Sequence, residues 1–155
     1  MILIVGYGNP RRGDDGAGIY AVRRLAGMDL PGVETRTVHQ LQTEILEDAV
    51  RFDAVILVDA AEGGGDVTLN PVQVSGKPSL ASSHHLGPEL LVRLGQILYG
   101  KNLSLFICAI PGENFAMTEE LSARTREAAD RAVGMIAEFI RLRRPGSPSG
   151  EEGKK

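Results

Sequence analysis

The sequence predicts a three-layer α/β/α sandwich built on a twisted, mostly parallel five-stranded sheet. Three observations carry that expectation. Short apolar runs read as buried strands, amphipathic stretches with helical spacing lie between them, and strand and helix alternate along the chain.

Met1 to Val5 is a continuous apolar run that stops at Gly6-Tyr7-Gly8-Asn9-Pro10, as a fully buried parallel strand does where it meets a loop. From Asp15 the spacing turns helical, with Ile19, Val22 and Leu25 in step and Asp14 or Asp15 placed to cap the first amides. Val33 to Val38 reads as a second strand, Glu44 to Val50 as a short helix, and Asp53 to Val58 as a third strand apolar on both faces. Val67 to Val74 contains Pro71, which lacks an amide, and so belongs at a sheet edge. Pro88 opens a helix with Leu90, Leu91, Leu94, Ile97 and Leu98 on one face, and Gly100 closes it. Leu103 to Ile110 is the fifth strand. A last helix over 118–143 buries Ala129, Ala132, Val133, Ile136, Phe139 and Ile140, with acids in its first turn, arginines in its last and Pro145 ending it.

The chain has 155 residues and is 43% hydrophobic, which suits one domain with its own core over residues 1–144; the Pro, Gly, Ser and charged stretch 145–155 is expected to be a disordered tail. With 17 Lys and Arg against 20 Asp and Glu, the net charge of -3 offers no basic stripe for nucleic acid or an anionic membrane. The apolar runs are far shorter than the roughly 20 residues that span a bilayer. Cys108 is the only cysteine, which excludes an internal disulfide, and the first residues lack the charged start and cleavage site of a signal peptide. A reducing, cytoplasmic location and a monomer are expected.

Ligands of open α/β sheets sit beyond the carboxyl ends of the strands, so the polar residues that follow each buried run deserve inspection. Three places stand out: Gly13-Asp14-Asp15-Gly16 after the first loop, Asp59 after Val55 to Val58, and Ser82-Ser83-His84-His85 before the Pro88 helix. A dinucleotide fingerprint starting at Gly6-x-Gly8 would need a third glycine where Arg11 stands and an acid where His39 stands. Asp14 and Asp15 are neighbours and point apart at a helix start, which leaves one for its own amides and one for the crevice. Asp59 ends an apolar strand, where a carboxylate is costly unless it is paired, coordinated or wet. A neutral imidazole beside two carboxylates suits zinc, nickel or a similar divalent ion, and three protein ligands leave coordination positions open for a substrate. Cys108 lies inside an apolar strand and reads as a core residue; Ser82 and Ser83 lack a nucleophile elbow. Arg11 and Arg12 are solvated on the first loop, in reach of a protein substrate.

The ordered set Gly6-x-Gly8-Asn9, Asp14-Asp15-Gly16-x-Gly18, Val58-Asp59-Ala60 and Ser83-His84 resembles the hydrogenase maturation proteases, over a stretch from about Met1 to the final helix. His39-Gln40-Leu41-x-x-Glu44 and His84-His85-Leu86-Gly87-Pro88 resemble the branch that serves cytoplasmic, cofactor-reducing hydrogenases. The resemblance implies an endopeptidase that removes a C-terminal extension from the nickel-loaded precursor of a nickel-iron hydrogenase large subunit. It places Asp15, Asp59 and His84 on the family's metal-binding and catalytic positions, with Asp14 mainly a cap and His85 outside the set. Nickel arrives with the substrate, and other divalent ions are expected to enter the site in vitro. The competing reading is a nickel-sensing chaperone that binds the precursor without cutting it; a third, a nucleotide-binding domain, predicts a cofactor retained on purification.

Overall fold

The structure, a computed structural model, describes residues 1–74 and 87–143. The tail expected over 145–155 lies outside the described residues. Strand β1 (Ile2–Tyr7) leads through a 3-10 turn at Gly13–Gly16 into helix α1 (Ala17–Gly27), followed by β2 (Val33–Val38) and the short helix α2 (Ile45–Ala49). Then come β3 (Ala54–Glu62), β4 (Thr68–Pro71), α3 (Pro88–Tyr99), β5 (Leu105–Gly112) and α4 (Ala123–Arg143).

The sheet has five strands in the order β2-β1-β3-β5-β4. β1 pairs in parallel with both β2 and β3, and β3 pairs in parallel with β5. β4 closes the edge antiparallel to β5, so Pro71 sits where the sequence puts it, on an edge strand with no further neighbour among the described residues.

Alternation along the strands sorts the core into two layers. Ile2 and Ile4 of β1, Ala54, Ile56 and Val58 of β3, and Cys108 and Ile110 of β5 pack against α1 and α4. Leu3 and Val5 of β1, Val55 and Leu57 of β3, and Leu105 of β5 pack with Leu46 of α2 and Leu91 of α3. A strand buried on both faces has no polar side to show, which is why these runs are continuously apolar.

One helix expectation is corrected. The last helix begins at Ala123, because the chain from Glu113 to Ser122 is held as a loop: Thr118 bridges to Arg12 and accepts from the Gly13 amide at 2.7 Å. Glu119 and Glu120 therefore precede the helix. The apolar stripe of α3 is only partly covered; Leu91 is buried, whereas Ile97 and Leu98 are 73% and 64% exposed. β3 also runs past Val58, since Asp59 to Glu62 continue the ladder with Ala109 to Gly112.

Candidate active site

Tight packing at the carboxyl ends of β1 and β3 fixes where the acids stand. A Cβ on Gly18 would come within 2.3 Å of the Val58 carbonyl oxygen, and one on Gly6 within 2.6 Å of the Gly18 carbonyl oxygen. Only glycines let α1 start this close to the two strands. Gly8 has a φ of +139° and a Cβ there would meet the Asp15 carbonyl oxygen at 2.1 Å, so the first loop folds directly onto the acidic turn.

Asp15 stands in that turn, partly exposed, and its Oδ2 accepts from the Asn9 amide at 2.7 Å. Asp59 stands at the end of the buried part of β3, partly exposed. Burial raises the Asp59 carboxyl, and the negative charge of Asp15 adds to that effect. The Ala60 amide and the Tyr7 hydroxyl oppose it, and the balance holds the group at about 6. The two carboxylates therefore sense one another across the mouth of the sheet. Two like charges that repel in a partly dehydrated place form an arrangement that a cation relieves.

His84 lies outside the described residues, as do Ser82, Ser83 and His85. Among the described residues no three His, Cys, Asp or Glu side chains form a metal-sized group, so the structure brings together Asp15 and Asp59 alone of the expected three. His39 follows β2 with an exposed side chain, and its carbonyl accepts from the Gly8 amide at 3.2 Å.

Asp14 corrects the sequence reading. No side chain caps the 3-10 turn or α1. Asp14 is instead fully buried and accepts five hydrogen bonds from the other end of the domain: the amides of Glu113, Asn114 and Ser122 at 2.8 Å each, the Ser122 hydroxyl at 2.9 Å and the Thr125 hydroxyl at 2.8 Å. Burial alone would raise its carboxyl, but the three amides and the Thr125 hydroxyl outweigh it and hold it at about 2. The neighbours thus divide their work, Asp14 as an anchor inside and Asp15 at the mouth.

Sequence reasoning passed over Tyr7. Burial first, then the charge of Asp59 and the hydrogen bond to it, push its phenol well above the usual value. The available signal was period two: a tyrosine following Leu3 and Val5 on alternate positions falls on the same sheet face as Asp59 following Val55 and Leu57.

Cys108 behaves as expected, buried in β5 with its thiol pushed up to about 12 by burial, which removes it as a nucleophile. A cavity of about 710 Å³ opens beside β3 and β5 between Glu62, Asp66, Glu113 and Arg124, but neither Asp15 nor Asp59 lines it. No helix among the described residues is long and apolar enough to cross a membrane.

No family model matches the chain. A Methanocaldococcus jannaschii protein assigned by name to the hydrogenase maturation proteases is 30% identical over 150 residues, spanning 87% of this chain and 93% of its own length. Among solved structures, the hydrogenase maturating endopeptidase HybD of E. coli superposes with a TM-score of 0.73 at 19% identity, over 90% of this chain and 91% of its own. The hydrogenase maturation protease HycI of Thermococcus kodakarensis gives 0.71 at 24% identity over 90% and 91% of the two chains. A hydrogenase 2 maturation peptidase from a Thaumarchaeota archaeon gives 0.68 at 25% identity over 91% and 98%. These structures share the fold described above, and the sequence match extends over most of both proteins; the chain belongs to the hydrogenase maturation protease family.

Proposed function

We propose that this chain is a metal-recognising endopeptidase that removes a C-terminal extension from the nickel-loaded precursor of a nickel-iron hydrogenase large subunit. The observation that carries the reading is the pair Asp15 and Asp59, two mutually repelling carboxylates at the carboxyl ends of the strands in a chain of this family. His84 completes the set as the third ligand. Nickel enters as part of the substrate, and it supplies an anchor for the precursor and Lewis-acid polarisation near the scissile bond.

The chain's own residues bind and orient. Asn9 holds one oxygen of Asp15, Asp14 pins the turn that carries it, and the Tyr7 hydroxyl sits against Asp59. A thiol nucleophile is not part of the scheme, since Cys108 is buried in the sheet.

Incubation with nickel-loaded precursor, followed by mass measurement of the large subunit, is the direct test. Loss of a C-terminal peptide is expected, with Asp15→Asn and His84→Ala each slowing it at least about 100-fold, a barrier increase of about 2.7 kcal/mol. Binding without any loss of mass would favour the chaperone reading. Normal processing by both variants would remove these residues from the mechanism.

A further inference from the structure

Tyr7 is the last residue of β1, one place beyond the final pairing of Gly6 with Val58, and Asp59 is one place beyond the same pairing on β3. In a parallel ladder the two are therefore neighbours across adjacent strands. Their side chains share a face: Leu3 and Val5 precede Tyr7 on alternate positions of β1, Val55 and Leu57 precede Asp59 on β3, and all four belong to the layer under α2 and α3. Tyr7 packs against that layer, which sets its side chain on the same side of the sheet as the Asp59 carboxylate, on the adjoining strand. Gly6 on one side and Gly8 on the other are both fixed by close backbone contacts, so the tyrosine between them has little freedom to move away.

We propose that Tyr7 is a positioning residue for Asp59: packed against the α2 and α3 layer, it donates to one carboxylate oxygen and thereby holds the acid ready to bind the divalent ion carried by the substrate. This rests on the metal-recognising reading given above. The physical reason is pre-organisation. A carboxylate that is free to rotate loses that freedom on binding an ion, and a fixed donor removes part of the cost in advance. A phenylalanine at this position would keep the packing and lose only the donor.

The test is calorimetric titration of Ni2+ into the full chain, its Tyr7→Phe and Asp59→Asn variants and the double variant, with thermal melting alongside. Tyr7→Phe is expected to weaken Ni2+ binding about 10- to 100-fold, in the range for lost partners of metal ligands, and to leave the melting temperature unchanged. Asp59→Asn is expected to weaken binding further, and the double variant to bind no worse than Asp59→Asn alone. A general loosening of the fold would add to the Asp59→Asn effect, whereas loss through Asp59 does not. Wild-type affinity in Tyr7→Phe beside a weakened Asp59→Asn overturns the role of Tyr7 and leaves the metal site standing, as does full additivity in the double variant. A wild-type chain that binds no Ni2+, or binds it no better than Asp59→Asn, overturns the metal reading and this inference with it.

Discussion

The face of the sheet under α1 and α4 and the face under α2 and α3 are sealed to different degrees. On the first, α4 runs 21 residues and buries Thr125, Ala128, Ala129, Ala132, Val133, Ile136 and Ile140, and Asp14 ties its start to the first loop. On the second, α2 is five residues long and the last turn of α3 leaves Ile97 and Leu98 in solvent. The two acids of the proposed site divide between these regimes. Asp15 is carried by the turn that the sealed side anchors, and Asp59 falls on the less covered face, in step with Val55 and Leu57. One wall of the proposed site is thus fixed by buried polar bonds, while the other lies on the less covered face of the sheet.

The contrast can be broken at its strongest point first. Asp14→Ala leaves three amides and two hydroxyls without their buried acceptor, and is expected to cost about 4 kcal/mol of stability by urea denaturation, in the range for removing one partner of a buried charged network. A loss below about 1 kcal/mol would mean that the network does not anchor the turn. Next, Leu25→Ala on α1, at a residue only 1% exposed, is expected to cost about 3 kcal/mol through lost burial and a residual cavity.

Acid denaturation sharpens the same comparison. The Asp14 carboxyl sits at about 2 in the folded chain against an ordinary 3.8, so the folded state favours its charged form. Its contribution to stability is present in full above about pH 4 and fades as the pH falls through 2. Stability measured between pH 4 and 2 should therefore fall less steeply in Asp14→Asn than in the wild type. An identical slope in both would show that other groups govern acid unfolding. The smallest effect belongs to the open side: Leu98→Ala should change stability by less than about 0.5 kcal/mol, because the side chain is already in water.

Much of the fold was legible because its signals are local. Val33 to Val38 has the observed bounds of β2, and Pro88 with Gly100 frames α3, whose end adopts a left-handed φ of 63° at Gly100. Pro71 marked the edge strand through its missing amide. Less could be read where partners are distant. An aspartate at a helix start points by local rules to its own amides, yet the donors that Asp14 meets lie 99 to 111 residues away, and no short-range pattern announces them. The same holds for the last helix, whose expected first turn is taken up by the loop that pairs with Arg12. For α3, a 3.6-residue period shows that a stripe exists, but not how much of it a neighbour covers. Of the proposed site, Asp59 was visible as an acid ending an apolar strand, whereas the difference in burial between Asp14 and Asp15 depends on the distant donors. Tyr7 was missed because its meaning depends on the register between β1 and β3.

The span of the Asp14 bonds also sets a clock. As the chain is synthesised, Asp14 and Asp15 emerge more than a hundred residues before Ser122 and Thr125 exist to receive the anchor, a delay on the order of ten seconds at ordinary translation speeds. Until Ser122 and α4 arrive, the Asp14 carboxylate lacks the partners that tie the Gly13–Gly16 turn to the far end of the domain. If the acids bind an ion as proposed, a nascent chain carries them early but completes the Asp14 anchor behind them only when its last described helix arrives.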